Sequence, residues 1–159
     1  MKKLLLIRHA KAVHDLNYVD FERPLKSSGI KDAEFMAERL LAEKIVPQQL
    51  VTSPALRTIS TADIFAQHLS LAKPKEDLRI YDASRLTLLD VINGFDNRRD
   101  FVGLVGHNPT MEQIIHYLTG NTVDFPTCAI ALLEFESDDW AAISAQTGTL
   151  KWYSIPKDH

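Results

Sequence analysis

Residues 4–13, LLLIRHAKAV, decide the reading of the fold. Four consecutive apolar side chains, Leu4 to Ile7, give way without transition to Arg8 and His9. A short apolar run that stops at charge reads as a buried strand, here Lys3 to Ile7, with two basic side chains at its carboxyl end. The question it raises is why a hydrophobic strand should deliver Arg8 and His9 at its tip.

Outward from this strand, short apolar runs alternate with helical patterns. After a polar loop a helix starts at Ser27 or Ser28, with Ile30, Ala33, Met36, Ala37, Leu40 and Leu41 spaced as a core stripe. QLVTSP is a second strand stopped by Pro54; Ser53 suits a helix cap and Pro54 the first helical position, with Ala55, Ile59, Ala62, Phe65, Ala66 and Leu69 on the inner face. LRIYD is a third, weaker strand, followed by a helical RLTLLDVINGF. DFVGLVGHNP is a fourth strand, with Asn108 as cap and Pro109 opening a helix that ends at Gly120. TCAIALLEFE and LKWYSIP are rich in β-formers and read as late, partly antiparallel strands. This alternation predicts a single domain over residues 1–159, a three-layer α/β/α sandwich with a mostly parallel sheet.

The composition sets limits. A chain of 159 residues, 45% hydrophobic and 25% charged, suits one domain with a real core. A net charge of −3 without a Lys/Arg block argues against nucleic-acid binding. The single cysteine, Cys128, forms no internal disulfide and fits a small core filler, which points to a reducing, cytoplasmic setting. Leu4 to Ile7 is too short for a signal peptide or a membrane span. His14, His68, His116 and His159 carry no motif and read as surface or helix-face residues. Trp140, Trp152 and Tyr153 read as late-strand packing.

Ligands of open α/β sheets bind beyond the carboxyl ends of the strands. Strands one, two and four end in IRHA, TSPALR and GHNP, so Arg8, His9, Arg57 and His107 meet at one sheet edge. Arg57 lies in the first turn of its helix, where the macrodipole disfavours a cation; a bound anion resolves that conflict. Two guanidinium forks fit phosphate. Beside them the charged form of His9 is disfavoured, leaving a neutral imidazole able to attack phosphorus. His107 and the arginines would hold the equatorial oxygens. Asn108, next to His107, is a candidate substrate contact. Either nitrogen of His9 could attack. The sequence holds no metal-ligand or phosphate-loop motif, so neither metal nor cofactor is expected.

These segments resemble the histidine phosphatase, phosphoglycerate mutase-like superfamily. Arg8-His9-Ala10 is similar to its Arg-His-Gly signature, with alanine for glycine; SPALRTISTA and GLVGHNP are similar to its later segments. DFERPLKSSGIKDA resembles SixA-type phosphohistidine phosphatases. The resemblance, running from Lys3 to about Leu133, implies a phosphoglycerate mutase-like fold, His9 as nucleophile, and a phosphate pocket of Arg8, Arg57 and His107. It further implies Arg23 at the entrance, Asp82 as the acid position and no cofactor. The short chain implies an open site that admits a phosphohistidine on a signalling or phosphotransfer protein. The alternatives are a small-molecule phosphomonoesterase or mutase, and a non-catalytic phosphohistidine-binding protein.

Overall fold

The computed structural model describes residues 1–156; His159 lies outside the described residues. Six strands form one sheet: β1 (Lys2–Arg8), β2 (Gln49–Thr52), β3 (Lys75–Glu76), β4 (Phe101–Gly106), β5 (Ile130–Phe135) and β6 (Gly148–Ser154). Their spatial order is β3-β2-β4-β1-β5-β6. The pairings among β3, β2, β4 and β1 are parallel, and β5 runs antiparallel to both β1 and β6. The sheet is thus mixed but mostly parallel, with the late strands antiparallel as expected.

The apolar run of β1 has a simple physical cause. Successive side chains of a strand point to opposite faces, and β1 is central with helices on both sides. Leu4 and Leu6 pack with α3 (Arg85–Asn93) and α4 (Thr110–Thr119), while Leu5 and Ile7 pack with α1 (Ser27–Ala42) and α2 (Leu56–His68). All four are 0% exposed, and burial of each contributes roughly 1.5–3 kcal/mol. The α/β/α layering follows. It also creates the binding crevice: the chain leaves β1 toward the α1 layer and its neighbour β4 toward the α4 layer, a topological switch point.

Several expectations change. LRIYD is not a strand: β3 lies upstream, and Leu78–Ile80 form a 3-10 turn capped by the Asp77 carboxylate, which accepts from the Arg79 amide at 3.0 Å. Leu78 is exposed and only Ile80 reaches the core, so no sheet face holds the segment extended. In α1 the stripe narrows to Ala33, Met36, Ala37 and Leu40, because Ile30 and Leu41 lie on the outer side, 42% and 47% exposed. Helix α2 begins at Leu56 after Ala55, not at Pro54. Helix α4 begins at Thr110 after Pro109, and Asn108 gives its terminus no side-chain bond. Its end is as expected: Gly120 takes the left-handed conformation, φ 79°, that a side chain would resist. Trp140 is fully buried, but in a 3-10 turn, Trp140–Ala142, rather than a strand. No helix among the described residues is long and apolar enough to cross a membrane.

Candidate active site

Register alone brings the tips together. Arg8 of β1 pairs with Gly106 of β4, and Thr52 of β2 with Val105. The next residues, His9 and His107, therefore lie side by side, with Ser53 of the β2 end one step behind, level with Gly106. Backbone bonds extend the ladder past the strands, His9 N–H to the Gly106 carbonyl at 3.1 Å and Ser53 N–H to the Val105 carbonyl at 3.2 Å. The imidazoles of His9 and His107 have centroids 5.4 Å apart.

The hydrogen bonds of His9 resolve which nitrogen is free. Nδ1 lies 2.8 Å from the Ala10 carbonyl oxygen, which can only accept, so Nδ1 carries the proton and Nε2 keeps its lone pair. Burial, more than the neighbouring His107, Arg57 and Arg8, drives the pKa down to about 3. At neutral pH the imidazole is uncharged. The Ala10 amide donates to Thr61 Oγ1 at 3.0 Å, and Thr61 in turn donates to the Arg57 carbonyl at 2.7 Å, which pins the β1 tip to α2. Ala10 packs in the core and does not adopt a positive φ, so the backbone here does not require glycine.

His107 is tied from both sides. Nε2 lies 2.9 Å from Ser53 Oγ, and Nδ1 lies 3.4 Å from Arg57 Nη2. A guanidinium can only donate, so Nδ1 accepts and Nε2 donates to the serine. Burial, then Arg57, lowers its pKa to about 4. Ser53, read from sequence as a helix cap, instead orients this histidine while accepting from the Ala55 amide at 3.3 Å.

Arg57 is 6% exposed and held by a residue not singled out from the sequence as part of the site. Its Nη1 donates to the Asp20 carbonyl at 2.7 Å and its Nη2 to Asp20 Oδ2 at 3.1 Å. Tyr81 also donates its hydroxyl to Oδ2, at 2.7 Å, and Arg23 Nε donates to Oδ1 at 3.1 Å. The Tyr81 bond first, then Arg57 and Arg23, holds the Asp20 carboxyl down to about 2, so it is ionised and has no proton to give. A local signal existed in DFERPL, where Asp20 and Arg23 stand three apart; the contacts to Arg57 and Tyr81 span 37 and 61 residues and left no sequence trace.

On the far side, Arg8 Nη1 donates to the Phe125 carbonyl at 3.1 Å. Glu112 accepts from the Phe125 amide at 2.9 Å and from Asn108 Nδ2 at 3.1 Å, and its charge offsets the burial of the Arg8 guanidinium. Asn108 also donates to the Phe125 carbonyl at 2.8 Å. Cys128, expected inside a strand, lies before β5 at φ 62°, a strained position for a side chain; its amide bonds the carbonyls of both Arg8 and His9. Burial pushes its thiol up, out of reach of nucleophilic use.

Together these residues line one open cleft of about 810 Å³. It includes Arg8, His9, Arg57, His107, Arg23, Asn108 and Asp82, so every candidate read from the sequence reaches the same cavity. Asp82 is exposed on its wall at φ 54°. His14, read as an ordinary surface residue, also reaches it. Among the described residues no group of three or more His, Cys, Asp or Glu side chains is placed to hold a metal ion. A neutral nucleophile between guanidinium groups is chemically suited to take a phosphoryl group.

Comparison with known proteins places this arrangement in a class. Residues 4–87 match the Histidine phosphatase superfamily (branch 1), and the chain belongs to that superfamily. Its fold superposes on that of a protein of Agrobacterium tumefaciens assigned as the phosphohistidine phosphatase SixA, with TM-score 0.84, 26% identity and 98% of each chain covered. A protein histidine phosphatase SixA complexed with tungstate shares the fold at TM-score 0.83 and 24% identity, over 97% of each chain. An uncharacterized chloroplastic protein of Arabidopsis thaliana is 27% identical over 162 residues, 95% of this chain and 74% of the relative. The chain is a phosphatase by family, with a phosphoglycerate mutase-like fold.

Proposed function

We propose that the chain hydrolyses a phosphoryl group through a covalent phosphohistidine on Nε2 of His9, without metal or cofactor, and that its substrate is phosphohistidine on a signalling or phosphotransfer protein. The observation that carries the mechanism is the bond from His9 Nδ1 to the Ala10 carbonyl, which commits the free lone pair to Nε2. Nε2 attacks phosphorus, the bond from phosphorus to the leaving group breaks, and the electron pair departs with that group, an imidazole leaving as the neutral ring with a proton taken from water. Water then attacks phosphorus, the P–Nε2 bond breaks, and inorganic phosphate leaves with the imidazole restored.

Arg8 and Arg57 hold the equatorial oxygens, where charge gathers in the transition state. An arriving phosphoryl dianion raises the pKa of His107. Protonated, His107 offers Nδ1–H to a phosphoryl oxygen in place of accepting from Arg57. Asn108 and Arg23 border the substrate. Asp82 is the candidate proton donor for an ester leaving group. The substrate assignment is supported by the likeness to SixA proteins and by the ionised Asp20: an imidazole leaves from a labile phosphoramidate with little need of a strong acid.

The test is phosphate release, with EDTA present, from a histidine-phosphorylated carrier domain and from an aryl phosphate, for the wild type and His9→Ala. Fast loss from the carrier that needs His9, with a feeble aryl rate, is the expected result. The reverse preference would point to a small-molecule phosphomonoesterase, binding without turnover to a phosphohistidine-binding protein, and full activity in His9→Ala would overturn the site.

A further inference from the structure

We propose that the outer wall of the cleft is a docking surface for an acidic segment flanking the phosphorylated residue of a partner protein, with Lys11 and Lys26 as its recognition pair. This rests on the reading above that the substrate is a protein. The cleft, about 810 Å³, is of a size that encloses a drug-sized molecule, so a phosphoryl group occupies only its inner end. The remaining wall carries a distinct charge. Beyond Arg8 and Arg57, which face the phosphoryl group, it holds Lys11, Arg23 and Lys26 against two carboxylates, Asp20 and Asp82, in a chain whose net charge is −3. One of the two, Asp20, is already bound by Arg57, Arg23 and Tyr81. Lys11 and Lys26 are exposed, and among the described residues neither ammonium has an acidic or hydrogen-bonding partner.

The positions of the two lysines are nevertheless built into the fold. The Lys26 amide donates to the Lys11 carbonyl at 2.9 Å, and Ala12 and Leu25 form an antiparallel bridge alongside. Helix α1 comes so close that a side chain at Gly29 would lie 2.2 Å from the Lys11 carbonyl oxygen. The backbone therefore presents two free ammonium groups from adjacent segments on one wall. The intervening loop distinguishes a protein from a metabolite as the occupant. Between His14 and Asp20, which both line the cleft, Leu16 is 101%, Val19 62% and Tyr18 46% exposed. Apolar side chains beside a cationic groove fit the surface of a folded partner. Attraction of this kind acts on encounter and on KM, and salt weakens it.

The experiment is steady-state kinetics of Lys11→Glu/Lys26→Glu on a histidine-phosphorylated carrier domain with acidic residues beside the phosphohistidine, and on an aryl phosphate. Expected is a rise in KM for the carrier on the order of tenfold at low salt, fading as salt increases, with kcat little altered and a much smaller change for the aryl phosphate. Lys11→Arg/Lys26→Arg should restore the wild-type KM, and thermal melting should show all variants folded. Equal changes on both substrates, or no change on either, would overturn the docking surface while leaving wild-type action on the carrier standing. A wild type that turns over the aryl phosphate but not the carrier would overturn the substrate reading beneath it, and the docking surface with it.

Discussion

The floor of the cleft and its rim are made differently. At the floor, His9 and Arg57 are 7% and 6% exposed, and each group is held by a bond to backbone or to a second buried side chain. At the rim, Lys11, His14, Leu16 and Lys26 are exposed. The floor is where strand register, fixed by the core, places the residues that we propose hold and attack phosphorus. The rim is formed by the chain around the loop from Lys11 to Lys26, whose exposed side chains project from a backbone that is itself anchored, by Asp20 to Arg57 and by Lys26 to Lys11. On the reading proposed above, chemistry belongs to the first region and choice of substrate to the second.

The strongest way to break this division is Arg57→Ala. It removes the proposed donor to the phosphoryl oxygens and also frees Asp20, so kcat/KM should fall about 10²–10³-fold on any phosphorylated substrate. Steady-state kinetics on two unrelated substrates checks it; a loss confined to one would place Arg57 in recognition instead. Thr61→Val comes next. It deprives the buried Ala10 amide of its acceptor and should cost about 1–3 kcal/mol of stability, read by urea unfolding, with a parallel fall in turnover as the β1 tip loosens.

The smallest effect concerns acid stability. His9 and His107 have folded pKa values of about 3 and 4, against about 6.5 in an unfolded chain. As pH falls below about 6.5 the unfolded imidazoles bind protons that the folded ones refuse, so stability is full above that pH and declines toward the folded values. Between pH 7 and pH 6, His9→Ala should lose less stability than the wild type, by under about 1 kcal/mol. An identical pH dependence would mean that His9 is not buried as described.

What could be read in advance followed from short-range physics. The run Leu4 to Ile7 showed a central strand because both of its faces are covered, and the basic residues that end three strands marked a candidate site because parallel strands of one sheet finish at the same edge. The helix starts were misplaced because Ser53 and Asn108 have capping chemistry but direct it to distant partners, His107 in one case and the Phe125 carbonyl in the other. LRIYD has strand-like residues, yet no face for Leu78 to cover. Asp20 escaped notice as part of the site for the same reason as Ser53: a contact across 37 residues of chain follows from the assembled fold and has no local pattern.

The most direct test of the central claim is to quench a single turnover and locate the phosphoryl group by mass spectrometry of the digested protein. Expected is one phosphoryl group on the peptide containing His9, attached through Nε2, stable to alkali, labile to acid and absent from His9→Ala. A phosphoryl group on another residue, or hydrolysis by His9→Ala at the wild-type rate, would contradict it.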